Sequence, residues 1–168
     1  MPPFHTLELI GKFAIWSVVI VVVQGILSYK FSVFRHFDLP LICTVYYGFA
    51  MGNPIASILM GSSLGLMQDS LSAAALGTNA FSKTVIGFLA ASASSKLAVD
   101  QPITRIFALI FFTLGDGLLV TMIALMVSPS SNASIGGALS GWLLSAAFNT
   151  LVGLVLLEYR DRLTNATA

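Results

Sequence analysis

Long apolar stretches, separated by short polar connectors, constrain the fold of this chain more than any other feature. Only 9% of its 168 residues are charged and 57% are hydrophobic, whereas about 25% of the residues in an ordinary soluble domain are charged. A helix needs about 20 apolar residues to cross the hydrocarbon core of a bilayer, and six such segments use most of the chain. We therefore expect an all-α, polytopic membrane helical bundle with about six transmembrane helices and no soluble domain.

The polar connectors set the limits of the predicted helices. Residues 52–54, Gly-Asn-Pro, end one helix, because proline lacks the backbone donor and disfavours helical geometry in the residue before it. The second segment is the shortest, so it crosses only if the bilayer thins or residues 31–37 contribute. Thr78 or Asn79 is placed to cap the fourth helix. We predict one integral membrane domain over residues 1–168, with a short solvated tail and spans at about 10–29, 39–51, 55–71, 79–96, 103–127 and 135–157.

Positive charge is unevenly divided between the two sides of such a bundle. An even number of spans places both termini on one side, and loops rich in Lys and Arg stay in the cytoplasm. Five cations fall on the terminal side and two on the other, namely Lys12, Lys96, Arg105, Arg160 and Arg162 against Lys30 and Arg35. We therefore expect a multi-pass protein of the bacterial cytoplasmic (inner) membrane with both termini in the cytoplasm. A re-entrant second segment would separate the two ends.

Small residues recur every four positions along the predicted sixth span. In lipid, helices attract one another through packing and interhelical hydrogen bonds, so a stripe of small residues marks a helix interface. The amide of Asn149 can donate and accept hydrogen bonds across it. The pattern fits internal packing of the bundle and also fits a docking face for a partner helix. The stripe consists of Gly137, Gly141, Ser145, Asn149 and Gly153.

An acidic side chain continues a similar stripe on the predicted third span. The members on this helical face are Gly61, Gly65, Asp69 and Ser72. An ionised carboxylate is costly in hydrocarbon, so Asp69 should lie near the boundary or have partners. The turn before span four makes the two segments antiparallel, which can bring Lys83 and the backbone donors of residues 78–80 beside it. We interpret Asp69 as a structural latch of the turn, with a proton or ligand site as the alternative.

A second acid, Asp116, lies between Gly115 and Gly117 near the middle of the predicted fifth span. An acid inside the membrane is a functional candidate by default. Lys83 and Asn149 are its possible partners. The pattern fits an interior hydrogen-bonded acid as well as a ligand site.

The sequence offers no constellation for catalysis, metal binding or nucleic-acid binding. His5 and His36 are far apart and belong to no Ser, Cys or carboxylate arrangement. The single cysteine, Cys43, has no second ligand near it and cannot form an internal disulfide. Lys plus Arg total 8 and Asp plus Glu total 7, so there is no basic excess to neutralise phosphates. We therefore expect no catalytic residue, no cofactor, no metal and no nucleic-acid partner.

Residues 60–90, MGSSLGLMQDSLSAAALGTNAFSKTVIGFLA, resemble the signature region of the rod shape-determining protein MreD family. In that family a Gly-rich helix leads to Gly-Leu, to an Asp followed by Leu-Ser, to a Leu-Gly turn and to a helix ending near Gly-Phe/Tyr-Leu. The chain differs at Ala75, where the family often has proline. The matching positions are Gly61, Gly65, Leu66, Asp69, Leu71, Ser72, Leu76, Gly77 and Gly87.

The resemblance implies a non-enzymatic scaffold subunit of the cell-wall elongation machinery, the elongasome, which carries out peptidoglycan synthesis. MreC is the implied direct partner, and MreB, RodA and a class B penicillin-binding transpeptidase belong to the same assembly, within membrane lipid. The family is also similar in fold to the substrate-binding S-components of ECF vitamin transporters. Such a subunit would need a ligand cavity with converging polar groups on its outer side. The outer connectors, apart from residues 29–38, are poor in charged and aromatic residues, so the scaffold function is favoured.

Overall fold

The computed structural model describes residues 18–30, 36–72, 75–96, 101–127 and 135–166. Within these ranges the chain forms six helices and no strand, which confirms the all-α expectation. Residues 10–17 of the predicted first span lie outside the described residues. The helices are α1 (Val18–Lys30), α2 (Leu39–Met51), α3 (Pro54–Leu71), α4 (Thr78–Ser94), α5 (Pro102–Val127) and α6 (Ile135–Ala166).

The limits of α2 to α5 lie within two residues of those predicted for the corresponding apolar segments. Helix α6 differs, because the tail predicted after residue 157 is helical as far as Ala166. The tail contains neither glycine nor proline, the two residues that most disfavour a helix interior. Nothing in its sequence stops the helix that precedes it, so the helical geometry continues.

The turn between α2 and α3 follows from the residues that form it. Gly52 has a φ of 59°, a left-handed conformation that glycine adopts without steric cost, and its N–H donates to the carbonyl of Gly48 at 3.0 Å. Asn53 Oδ1 then accepts from the backbone N–H groups of Ile55 and Ala56 at 3.0 and 3.3 Å. The asparagine therefore caps α3 in the way that helix N-termini favour.

Helix α4 lies at the centre of the bundle, packed against α2, α3 and α5, while α6 packs on α5. The α5–α6 pair is antiparallel, since Gly117 faces Trp142 and Leu109 faces Gly153. The end of α3 contacts the start of α4 through Asp69. Helices α2 and α4 both begin at this end of the bundle, which we call the Asp69 end. The apolar core between α2, α4 and α5 consists of Leu41, Val45, Ile86, Ala90, Ala108, Leu109 and Phe112.

Glycines bring the backbones of α3 and α4 into direct contact. A Cβ atom added at Gly65 would overlap the backbone of Ala80, and one at Gly61 would overlap the carbonyl of Lys83. A Cβ at Gly87 would lie 2.6 Å from a backbone oxygen of α3. Only glycine permits this approach, as in other small-residue helix interfaces within membranes. We call this contact, formed by Gly61, Gly65 and Gly87, the α3–α4 seam.

Two of the described helices are long and apolar enough to cross a membrane, in the ranges Ile103–Val127 and Ala138–Val155. Two shorter helices, Val18–Lys30 and Leu39–Met51, are also apolar. The outer surface of α5 carries large apolar side chains, and Phe107 and Phe111 are each 68% exposed. Apolar surface of this extent is suited to contact with lipid rather than with water.

Candidate functional site

Asp69 closes the turn between α3 and α4 with four hydrogen bonds. Its Oδ2 accepts from the backbone N–H groups of Gly77 and Ala80 at 2.8 and 3.2 Å, and its Oδ1 accepts from the backbone and side-chain amides of Asn79 at 3.1 and 2.8 Å. The residue is only 3% exposed. The backbone donors belong to the N-terminus of α4, whose N–H groups lack partners within the helix and whose dipole favours a negative charge. A buried carboxylate is thereby satisfied without a cation.

The N-cap of α4 differs from the prediction of Thr78 or Asn79. The N-cap residue is Gly77, with a φ of 98° and no side-chain cap of its own. Asp69 provides the missing acceptor from the preceding helix. Glycine suits the position because residues with a side chain rarely adopt this φ. The functional importance of Asp69 stays a prediction.

Lys83 is fully buried, with 0% of its surface exposed, and it pairs with acids other than Asp69. Its Nζ donates to Asp38 Oδ2 at 2.9 Å and to Asn79 Oδ1 at 3.4 Å, and it lies 3.7 Å from Asp116 Oδ1. The sequence suggested that Lys83 lies beside Asp69, but the two form no ion pair. Asp69 already accepts four hydrogen bonds, whereas Asp38 reaches Lys83 from the start of α2, at the same end of the bundle.

Asp116 is a buried, hydrogen-bonded acid at the contact between α5 and α4. Its Oδ1 accepts from Ser82 Oγ at 2.6 Å and lies near Lys83, one of its two suggested partners. The other suggested partner, Asn149, bonds elsewhere: its Oδ1 accepts from the backbone N–H of Asp38 at 2.8 Å. Asn149 therefore joins α6 to the start of α2 instead of joining α6 to α5.

Together these contacts form a polar network near the Asp69 end, which ties α2 through α6 to one another. Two of its three carboxylates, those of Asp38 and Asp116, face its one ammonium group. Among the described residues, no group of three or more His, Cys, Asp or Glu side chains is placed to hold a metal ion. The arrangement can fix the relative positions of helices, since most of its hydrogen bonds join two elements. Its members are Asp38, Asp69, Asn79, Ser82, Lys83, Asp116 and Asn149.

The small-residue stripe of α6 does not act as one surface. A Cβ at Gly153 would lie 2.6 Å from Leu109 Cδ1 on α5, whereas a Cβ at Gly141 would meet nothing within 4 Å. Four residues of an α-helix turn through about 400°, so such a stripe drifts by about 40° at each step. The stripe therefore faces the bundle at Asn149 and Gly153 and turns outward toward Gly141. Ser145 borders a cavity between these two parts, and Gly137 lies in the first turn of α6.

Asp38 is central to the polar network, because it contacts both Lys83 and Asn149, but the sequence did not predict it as a site residue. Its Oδ1 accepts from the backbone N–H of Leu41 at 2.9 Å, so it caps α2 while its other oxygen pairs with Lys83. The signal was present, because an Asp two residues before Pro40 matches the preference for Asp at the N-cap and Pro in the first turn. Ser82 gave no comparable signal, since a serine inside a helix commonly bonds to its own backbone.

The fold and the network define an all-helical protein that buries a lysine and several acids among its helices and has two helices able to span a membrane. The family model of the rod shape-determining protein MreD matches residues 8–160 of the chain. The chain belongs to this family and is therefore a rod shape-determining membrane protein, a structural component of cell-shape control. No curated protein sequence and no solved structure matches it.

Proposed function

We propose that the protein is a non-enzymatic inner-membrane subunit of the bacterial cell-wall elongation machinery, where it binds MreC directly and helps to organise peptidoglycan synthesis. MreB, RodA and a class B penicillin-binding transpeptidase are the other members of this assembly. The observation that carries the proposal is the MreD family match over residues 8–160. The polar network adds support, because most of its hydrogen bonds join two helices.

We assign the MreC contact to the outer face of α6 around Gly141. This glycine has open space beside it, and its neighbour on the same face, Leu144, is exposed. A small residue flanked by an apolar side chain lets a second helix approach closely in lipid. Gly61 and Gly65 cannot serve as such a surface, because α4 already covers them.

The test is recovery of MreC with the full chain from cells, comparing wild type with Gly141→Ile. We expect Gly141→Ile to reduce the recovered MreC by about tenfold or more, the effect of roughly 1.4 kcal/mol of binding energy, without changing the melting temperature. Ala147→Ile is the matched control, because Ala147 is exposed and lies about 120° from Gly141 around the same helix. A photo-crosslinker at Leu144 should capture MreC, whereas one at exposed Ser63 on α3 should not.

Two outcomes count against different parts of the proposal. Normal MreC recovery with Gly141→Ile, together with no crosslink from Leu144, removes the contact from α6. Failure of the wild-type chain to associate with any member of the assembly in cells removes the proposed function itself.

We further propose one membrane domain of six spans over residues 1–168 with both termini in the cytoplasm. The support is the excess of Lys and Arg on the terminal side and the count of six helices, an even number, among the described residues. A C-terminal reporter fusion should be active in the cytoplasm. A periplasmic C-terminus contradicts the six-span arrangement.

A second candidate function is that of an S-component-like subunit that binds the substrate of a small-molecule transporter. A cavity of about 640 Å³ bordered by α1, α5 and α6 favours it, since ligand sites commonly occupy 300–1,000 Å³. Neighbouring genes for MreC and an actin-like protein would favour the scaffold. Vitamin-dependent stabilisation of the purified chain, or solute uptake that depends on it, would favour the transporter.

A further inference from the structure

The cavity at the Asp69 end has a polar wall on which some polar atoms are used neither by the helix contacts nor by the proposed MreC contact. It has a volume of about 640 Å³ and is bordered by the C-terminal half of α1, the start of α2, the end of α3 and the middle parts of α5 and α6. Asp116 and Asn149 of the polar network line it, as do the rings of Phe37 and Trp142. The cavity is large enough for a small organic molecule.

Three buried polar atoms of residues that border this cavity have no hydrogen-bond partner among the described residues, namely Gln68 Oε1, Thr113 Oγ1 and Asn149 Nδ2. Asn149 is 0% exposed and its Nδ2 has no hydrogen bond, and Thr113 is 4% exposed and its Oγ1 has none. The orientation of the Asn149 amide is fixed, because its Oδ1 must accept from the backbone N–H of Asp38. Its Nδ2 is therefore left as a donor. Unpaired buried polar atoms cost about 1–3 kcal/mol each, so an occupant of the cavity that pairs with them would remove this cost.

Two carboxylates, those of Asp38 and Asp116, and no Lys or Arg are among the described residues that line the same wall. Asp38 and Asp116 share the single ammonium group of Lys83. The Oδ1 atom of Asp116 bonds to Ser82, whereas its Oδ2 has no hydrogen bond within the described residues and belongs to a side chain that lines the cavity. Among the described lining residues, His36 is the one basic side chain. The electrostatics of the wall therefore favour a cation over an anion.

We propose that this cavity binds a small molecule that carries a protonated primary amine, with the amine on Asp116 Oδ2 and an oxygen acceptor of the molecule on Asn149 Nδ2. Thr113 Oγ1 provides a further hydrogen bond, and the rings of Phe37 and Trp142 contact the apolar part. A free amine and the headgroup of an aminophospholipid share this chemistry. Binding at this site requires neither MreC nor transport, since the cavity lies within one chain.

The test measures the melting temperature of the full chain, purified in neutral detergent, with tyramine as the probe. Tyrosol is the matched control compound, because a hydroxyl group replaces the amine on the same framework. We expect tyramine to raise the melting temperature in a saturable way and tyrosol to have no effect. A parallel measurement compares lipid nanodiscs containing phosphatidylethanolamine with nanodiscs containing phosphatidylglycerol, which separates a lipid headgroup from a free amine.

Variants connect the effect to the cavity. Asp116→Asn should weaken tyramine binding more than about tenfold, as expected for a charged hydrogen bond, and Thr113→Val by about three- to tenfold, as expected for a neutral one. Thr84→Val is the matched control, because the Thr84 hydroxyl bonds to the Ala80 carbonyl of its own helix and does not line the cavity. Thr113→Val keeps the test valid if Asp116→Asn fails to fold.

Stabilisation by tyramine or by phosphatidylethanolamine that both cavity variants weaken supports the proposal and identifies the source of the amine. Absence of stabilisation by both, or equal affinity in wild type, Thr113→Val and Asp116→Asn, overturns it. These measurements contain no MreC, so their outcome is independent of the MreC recovery assay.

Discussion

The α3–α4 seam and the α5–α6 pair both contain glycines, but those glycines face different kinds of neighbour. Gly61 and Gly65 lie against the backbone of α4. On the other pair, a Cβ at Gly117 would meet the ring of Trp142 at 2.8 Å, and a Cβ at Gly153 would meet a methyl group of Leu109. Side-chain tips can move to another rotamer, whereas a helix backbone cannot. The seam therefore sets a fixed distance between helices, and the α5–α6 pair tolerates adjustment.

The α3–α4 seam and the α5–α6 pair also differ in whether their surfaces are open to a partner or ligand. The seam is closed at its end by Asp69, whose acceptors are saturated by the start of α4. The α5–α6 pair borders the cavity and presents Gly141 to open space. Residues 60–90, which resemble the signature region of the family, thus mainly form a rigid internal pair of helices. Partners and ligands are expected at the other pair.

The largest expected effect comes from breaking the seam with Gly65→Ile. Overpacking a core costs about 1–3 kcal/mol where side chains can shift, but here the added carbons meet the backbone of Ala80, so the two helices must separate. We expect no monodisperse folded protein by size-exclusion chromatography in detergent. Gly141→Ile adds the same side chain on α6 and should elute as wild type. If both variants elute in the same way, the two helix pairs do not differ in their tolerance of an added side chain.

Lys83→Met should have the next largest effect, because it removes the one cation of the polar network and keeps a similar side-chain volume. Asp116, which is buried, and Asp38, which is partly buried, would remain without a counter-charge, and removing one partner of a buried ion pair costs about 3–5 kcal/mol. Thermal unfolding in detergent measures the loss. The double variant Lys83→Met/Asp116→Asn should recover part of it, since the two positions are coupled. An additive double variant would mean that the 3.7 Å approach of Lys83 to Asp116 contributes nothing.

The sequence was sufficient for the all-helical class and for the limits of α2 to α5, because apolar length and helix breakers are local features. Gly52, Asn53 and Pro54 end α2 and begin α3, and Gly77 marks the turn before α4. The resemblance of residues 60–90 located the family, which the match over residues 8–160 confirms.

The polar network was predictable only in part, because its partners come from distant parts of the chain. Asp69 bonds to residues eight to eleven positions away, so a turn between two predicted helices was enough to suggest its donors. Lys83 bonds to Asp38 across 45 positions, and Asp38 to Asn149 across 111. Pairings of that kind depend on which helices are neighbours in the bundle, and hydrophobic periodicity does not determine it. The four-residue spacing on α6 likewise did not show that the stripe faces the bundle at Gly153 and turns outward at Gly141.

Asp69→Ala tests whether the turn holds the seam closed. The substitution leaves the N–H groups of Gly77, Asn79 and Ala80 without their acceptor, and unpaired donors cost about 1–3 kcal/mol each. We expect a total loss of about 2–4 kcal/mol in thermal unfolding, since water reaches part of the turn, and about half of that for Asp69→Asn, which keeps one acceptor oxygen. Both variants should fail to restore rod shape fully in a deletion strain. An unchanged melting temperature for Asp69→Ala contradicts the latch.

Ser72→Ala sharpens the comparison with the smallest expected effect. By spacing, Ser72 belongs to the same stripe as Asp69, yet its exposed hydroxyl lies 3.4 Å from the Asp69 carbonyl and makes no contact with α4. Surface substitutions of this kind change stability by about 0.5 kcal/mol or less, so the melting temperature and rod-shape complementation should match wild type. Thermal unfolding of Ser72→Ala beside Asp69→Ala measures the difference. The contrary result is that Ser72→Ala lowers the melting temperature as much as Asp69→Ala does. In that case the contribution of a residue to stability would depend on its position on the stripe and not on its contact with α4.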